Sequence, residues 1–292
     1  ARAMATLRVL GLLAILIANG LTAARATPVY PANPFLTERD IFVSVDGVIR
    51  LEHETLDPVW FALEGLETYA PVVSHGRVLV GTNAGMFALD IENGMMRWHI
   101  PSATALQSPA VNEDLAFVSG SDGSVQAVSV KDGTRRWRRS LEGSLLTPVV
   151  IGSRLVVGGE EGTLWALDTG NGHSQWRLPL ENELAFPPVA DEQGQVYVCT
   201  MAARLISVDG ATGKRTWQHG LSAPGSVLVD SEQVYVGQFD GTVSARQKGS
   251  GQVEWERSLP GLGPTPLRLL GGALVVTTDS GENIFLDPAS GE

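Results

Sequence analysis

Four aspartates, Asp90, Asp168, Asp209 and Asp287, are the residues of this 292-residue chain whose type and recurrence most invite a chemical reading, since carboxylates are the ligands of hard cations. Each closes a short apolar run, and the four fall in separate repeats of the sequence. Spread in that way they do not converge on one cation, and the expectation is that they close turns on backbone groups. The five histidines, His53, His75, His99, His173 and His219, are too far apart to pair as metal ligands on one strand or helix, so surface or edge positions are expected. Cys199, the single cysteine, has no internal disulfide partner, and its apolar strand Val196 to Thr200 predicts a buried, inert thiol. No G-x-S-x-G, no G-x-x-x-x-G-K and no dinucleotide fingerprint occurs. No catalytic, cofactor-binding or metal-ligating residue is assigned.

The elements that hold these residues repeat. The stretch Arg77 to Trp98, RVLVGTNAGMFALDIENGMMRW, returns at nearly constant spacing. Aligned on its closing indole it recurs at Trp98, Trp137, Trp176, Trp217 and Trp255, in steps of 39, 39, 41 and 38 residues, with Trp60 ahead by 38. Within each unit an apolar strand leads to a two-residue turn: Asp46-Gly47, Ala84-Gly85, Asp122-Gly123, Glu161-Gly162, Asp240-Gly241 and Ser280-Gly281, with Ala202-Ala203 as the exception. A second strand ends on Asp90, Ser129, Asp168, Asp209, Gln247 or Asp287. Glycine follows four positions later, and in the first five of these units the tryptophan stands four beyond that. A period near 40 with several short strands per unit predicts propeller blades. Six large rings in equivalent positions, Trp60, Trp98, Trp137, Trp176, Trp217 and Trp255, are read as structural wedges that dock neighbouring blades; Trp165 lies outside that register.

Composition bounds the partners. Residues 1–26 carry Arg2 and Arg8 before an apolar run from Val9 to Leu21 and end on Ala24-Arg25-Ala26, the pattern of a secretory signal peptide too short to span a bilayer. The net charge is −11, and without residues 1–26 about −14, which disfavours nucleic acid and anionic lipid as partners. No cysteine stands near the cleavage site, so no residue there is expected to carry a lipid. Residues 27–40, with three prolines, read as an extended lead-in, and 41–292 as the propeller. Leu56 stands where the first unit should have its glycine, so an irregular first blade is expected. Pro71, Pro109, Pro148, Pro188, Pro224 and Pro266 stand at strand entries.

The composite pattern, G-x-[VL]-x-[VL]-G, a D-G turn, A-L-D, then G-x-x-x-W, resembles the pyrroloquinoline-quinone-like (PQQ-like) β-propeller repeat, most fully at residues 76–98 and 153–176. The resemblance implies an all-β propeller of four-stranded blades. Seven units are visible, and since the family favours eight, the expectation is an eight-bladed propeller incomplete at its C-terminus. The family has two branches. Its quinone- and calcium-dependent dehydrogenases resemble one another in long insertions between blades, a calcium site with a catalytic aspartate and often a vicinal cysteine pair. This sequence has short connections and one cysteine. The resemblance therefore implies the other branch, the periplasmic BamB-type scaffolds of outer-membrane β-barrel assembly, non-enzymatic and without cofactor, with that assembly machinery as the expected protein partner. A fragment of a quinone/calcium-dependent dehydrogenase and an extracytoplasmic ligand-binding or sensor module are the alternatives.

Overall fold

The computed structural model describes residues 34–259, 267–277 and 283–292. Expectations for the signal peptide at 1–26, for Pro266 and for the Ser280-Gly281 turn lie outside these. The described residues form strands and turns without a helix.

The strands fall into seven antiparallel sheets, each a meander in sequence order. The first holds β1 (Phe35–Leu36), β2 (Asp40–Ser44), β3 (Val48–Glu52) and β4 (Pro58–Ala62); the second β5 (Val72–Ser74), β6 (Arg77–Thr82), β7 (Gly85–Asp90) and β8 (Met96–Pro101). The third holds β9 (Ala110–Val111), β10 (Leu115–Ser119), β11 (Ser124–Ser129) and β12 (Arg135–Ser140); the fourth β13 (Val149–Ile151), β14 (Arg154–Gly158), β15 (Thr163–Asp168) and β16 (Ser174–Pro179). The fifth holds β17 (Val189–Ala190), β18 (Gln195–Thr200), β19 (Arg204–Asp209) and β20 (Arg215–Gly220); the sixth β21 (Gly225–Val229), β22 (Gln233–Gln238), β23 (Thr242–Gln247) and β24 (Val253–Ser258). In the seventh, β25 (Arg268–Leu270), β26 (Ala273–Thr277) and β27 (Asn283–Leu286) are described. By contact density the chain divides into two compact units, one with the first three sheets and one with the last three, the division passing through β15 and β16.

The sequence dictates this layout strand by strand. The two middle strands of a sheet are buried on both faces, as the continuous apolar runs of β6 and β7 require, whereas the fourth strand alternates, with its tryptophan turned inward and its neighbours exposed. Five of the prolines, Pro71, Pro109, Pro148, Pro188 and Pro224, stand immediately before β5, β9, β13, β17 and β21, where no ladder donor is needed. Opposite the tryptophan stands an alanine in three sheets, Ala88 to Trp98, Ala127 to Trp137 and Ala245 to Trp255, and a serine in a fourth, Ser207 to Trp217, and a β-bulge falls beside each pair. The bulge adds local twist and the alanine or serine leaves room for the ring.

Two expectations for the first unit need correction. The stretch expected as an extended lead-in supplies a strand, since Phe35 and Leu36 pair with Phe42 and Ile41. The three prolines hid a two-residue strand too short to show a period. The first sheet is also a regular four-stranded meander. Leu56 takes the glycine's place at φ 64°, and its N–H makes the expected bond to the Glu52 carbonyl at 2.9 Å. The irregularity is therefore local backbone strain and leaves the topology unchanged.

Candidate functional site

The turn between the third and fourth strands is where most of the residues singled out in the sequence meet. In the second sheet the Asp90 carboxylate accepts the N–H groups of Glu92 and Asn93 at 3.0 and 3.3 Å, and the Gly94 N–H donates to the Asp90 carbonyl at 2.9 Å. Asp168, Asp209 and Asp287 do the same with Gly170 and Asn171, with Ala211 and Thr212, and with Ala289 and Ser290. An aspartate of suitable reach thus satisfies two donors that the reversing chain orphans. The Arg97 guanidinium beside Asp90 holds its carboxyl below the usual range.

Onto that turn comes the tryptophan of the preceding sheet. The indole Nε1–H of Trp60 donates to the Ile91 carbonyl at 2.9 Å, Trp98 to Val130 at 3.0 Å and Trp137 to Thr169 at 2.8 Å. In the second compact unit Trp176 donates to Gly210 at 2.9 Å, Trp217 to Lys248 at 2.8 Å and Trp255 to Pro288 at 2.8 Å. In five cases the acceptor is the residue after the one that ends the third strand, and Pro288 lies two past Leu286, the end of β27. The ring also lies across the turn glycine: a Cβ on Gly172, whose φ is +72°, would stand 2.6 Å from the Trp137 ring, and Gly94, Gly133, Gly213, Gly251 and Gly291 repeat the arrangement. This second demand on the glycine, room for a neighbour's ring, was missed in the sequence. Its signal was there, since the glycine of one repeat and the tryptophan of the one before it keep a nearly fixed separation. Within its own sheet the ring meets an aromatic of the second strand in four cases, as Trp137 does Phe117 with centroids 6.0 Å apart.

A further contributor also escaped the sequence reading. Two residues past the tryptophan, Arg139, His219 and Arg257 reach the same turn in the next sheet and bond the carbonyls of Asn171, Ser250 and Ser290 at 2.6, 2.8 and 3.2 Å. The remaining histidines sit apart: His75 and His173 are exposed in turns, His53 is half-buried, and His99 stacks on Phe87. Cys199 is buried, and burial pushes its thiol up to about 11. Trp165 packs beside the core of Phe117, Trp137 and Leu155.

Among the described residues no group of three or more His, Cys, Asp or Glu side chains could hold a metal ion. A cleft of about 340 Å³ opens at the first sheet between Arg39, Asp40, Arg50, Glu52 and Asp57. Its buried cation is already spent, because Arg50 forks onto Asp40 at 2.8 and 3.2 Å and donates to the Ile91 and Glu92 carbonyls. What the arrangement offers is a set of locked turns and, beyond them, exposed fourth strands that end their sheets.

The family model described as "Outer membrane protein assembly factor BamB" matches residues 45–150 and 137–265, together more than half of the chain. The chain belongs to this family. A search of curated proteins finds no match. Among solved structures, BamB from Moraxella catarrhalis superposes with a TM-score of 0.70 at 19% identity, over 84% of this chain and 80% of that one. The computationally designed Ika8 protein gives 0.77 at 16% identity, over 87% and 82%, and a chain of the mitotic checkpoint complex 0.71 at 10% identity, over 90% and 94%. At these identities the likeness is one of fold, and the fold is the β-propeller with seven blades described. The eighth blade expected from the repeat is not among them.

Proposed function

We propose that this chain is an exported, periplasmic, non-enzymatic scaffold that holds other proteins during outer-membrane β-barrel assembly. The observation that carries the reading is the family match over residues 45–265. The chemistry of the described surface supports it: carboxylates engaged in turns, a buried thiol, an occupied cationic cleft and free sheet edges suit polypeptide binding better than turnover. As part of the same proposal, the six register tryptophans dock successive blades, which their bonds to the following sheet's turns support. Residues 1–26 act as the export signal, which N-terminal sequencing of the mature protein tests. The eighth unit is tested by reading the genomic frame beyond Glu292.

The deciding experiment is capture from solubilised cell envelopes with the full chain as bait. Recovery of a subunit of the outer-membrane β-barrel assembly machinery is expected. Recovery of none, with the bait folded, overturns the assignment.

A further inference from the structure

The outer strand of the third sheet differs from its counterparts. β12 reads Arg135-Arg136-Trp137-Arg138-Arg139, and the turn before it adds Lys131, so five of the chain's 21 Lys and Arg residues crowd into this short stretch of an acidic protein. The equivalent strands β4, β8, β16 and β20 carry one arginine or none, and β24 carries Glu254 and Glu256 beside a single arginine. Packing does not ask for the excess. Trp137 and Arg139 are engaged with the next turn, while Arg135, Arg136 and Arg138 are exposed. Arg138 meets Asp122 at 3.2 Å, an exposed pair that a competing carboxylate exchanges readily. β12 ends its sheet, and no strand among the described residues pairs with its far edge.

We propose that β12 is the docking strand for an acidic, extended segment of a partner protein, its carboxylates alternating with neutral residues so as to meet Arg136 and Arg138. The inference rests on the protein-interaction reading above and names the chemistry of the partner. Residues two apart on an extended segment recur at about 6.6 Å on one face. Arg136, the extra residue of the bulge, and Arg138, opposite Gln126, flank the buried Trp137 with their side chains exposed, and a guanidinium fork takes a carboxylate in two parallel bonds. Side chains supply most of the recognition, because Arg139 Nη1 already donates to the Arg138 carbonyl at 3.0 Å and removes one acceptor from the free edge. A narrow segment fits better than an anionic bilayer. Exposed Glu113, Asp114, Asp122 and Asp132 border the stripe, so a flat anionic surface would press on them and on the chain's net charge of −11, while a single strand meets only the arginines.

The test uses the full chain and a fluorescent peptide of alternating glutamate and valine, with its glutamine counterpart as the neutral probe. Anisotropy should show binding of the acidic peptide that weakens with salt. The triple variant R135Q/R136Q/R138Q should bind about ten-fold more weakly, the scale expected for the two exposed charge pairs at Arg136 and Arg138 together with the neighbouring charge of Arg135. The control R39Q/R204Q/K214Q removes as many exposed charges elsewhere and should stay within about two-fold. Equal loss in both variants, equal binding of the neutral peptide, or stronger binding of the wild type to phosphatidylglycerol vesicles than to the peptide overturns the inference. Both variants should melt with the wild type, and thermal melts check that they are folded. Envelope capture separates the two readings. If the wild type and the R135Q/R136Q/R138Q variant recover an assembly-machinery subunit equally, the scaffold reading stands and the β12 assignment falls; if neither recovers one, the scaffold reading falls and the peptide titration still decides the chemistry of β12.

Discussion

The third and sixth sheets solve the same packing problem with different side chains. In each, the residue after the third strand offers its carbonyl to the tryptophan of the sheet before it: Val130 to Trp98 and Lys248 to Trp217. Val130 is buried in an apolar cluster with Leu79, Met86 and Leu106. Lys248 folds into its sheet's neighbour instead, with Nζ 3.0 Å from Asp191 Oδ2, 2.8 Å from Gln193 Oε1 and 3.2 Å from the Asp230 carbonyl. The backbone lock is common to both, and the side chain at that position is free to be a hydrophobe or a cation so long as it finds a partner. The fourth strands extend the lesson. β12 and β24 share Trp, and Arg two positions on, because those residues hold the next turn; their exposed positions carry arginines in one and glutamates in the other.

The largest test of this equivalence removes the shared part. Trp137→Ala and Trp255→Ala should each cost about 3 to 5 kcal/mol in urea unfolding, as expected for a buried aromatic. Both rings are 7% exposed and each donates to a carbonyl at 2.8 Å. A loss confined to one of them would break the comparison.

Removing what differs comes next. Lys248→Met should cost about 3 kcal/mol at neutral pH, since it strands the Asp191 carboxylate, whose side chain is only 2% exposed. Burial alone would raise that carboxyl, but the Lys248 ammonium, the Gln195 N–H and the Tyr197 hydroxyl outweigh it and hold Asp191 below the usual range. A depressed folded-state value means that the carboxylate's contribution is complete above its unfolded value of about 4 and is lost as pH falls through the folded value. Wild-type stability should therefore fall below about pH 4, and the gap to Lys248→Met should narrow with it. A gap independent of pH would mean that the lysine acts through packing alone.

Glycine substitutions sharpen the comparison within one turn. Gly251 sits at φ +70° with His219 Cδ2 2.5 Å and the Trp217 ring 2.7 Å from a would-be Cβ, and Gly133 at φ +73° with the Trp98 ring at 2.9 Å. Alanine at either should cost about 2 kcal/mol, from left-handed strain plus displacement of the ring. Gly249 lies two residues earlier with nothing within 4 Å of its would-be Cβ, so Gly249→Ala should change stability by less than about 0.5 kcal/mol. Equal costs at 249 and 251 would remove the ring contact as the cause.

The shared part was legible in the sequence and the differing part was not, for a physical reason. Hairpin turns, aspartate turns, strand-entry prolines and register tryptophans depend on residues close together in the chain, so one repeat shows them and the next repeats them. The carboxylate that answers Lys248 lies a full repeat and more away at Asp191, and no local pattern announces it. The same holds for Arg139 and Arg257, whose acceptors belong to the next sheet, and for β1, where a strand of two residues carries no period. The charge of β12 was visible in its letters, but its separation from the packing residues became apparent only once Trp137 and Arg139 were seen to be engaged.

The smallest predicted effect concerns the first sheet's turn, onto which no tryptophan among the described residues is bonded. In the first sheet Glu52 stands where an aspartate would close the turn, and Leu56 stands where the third and sixth sheets have Gly133 and Gly251. The longer Glu52 side chain bonds the Thr55 hydroxyl at 2.7 Å instead of the two backbone N–H groups an aspartate takes, so a hydroxyl and a leucine at φ 64° hold the reversal. Leu56→Gly relieves a left-handed leucine, worth about 1 to 2 kcal/mol. Against that stand the extra freedom of glycine in the unfolded chain, about 0.4 to 1 kcal/mol, and the loss of a half-buried side chain. The net expectation is a gain of up to about 0.5 kcal/mol, the residue of opposed terms, in contrast to the loss expected when the glycine of the third or sixth sheet gains a side chain. A clear destabilisation by Leu56→Gly in urea unfolding would show that the leucine side chain packs against something that outweighs its backbone strain, and the first turn would then be a docking point in its own right.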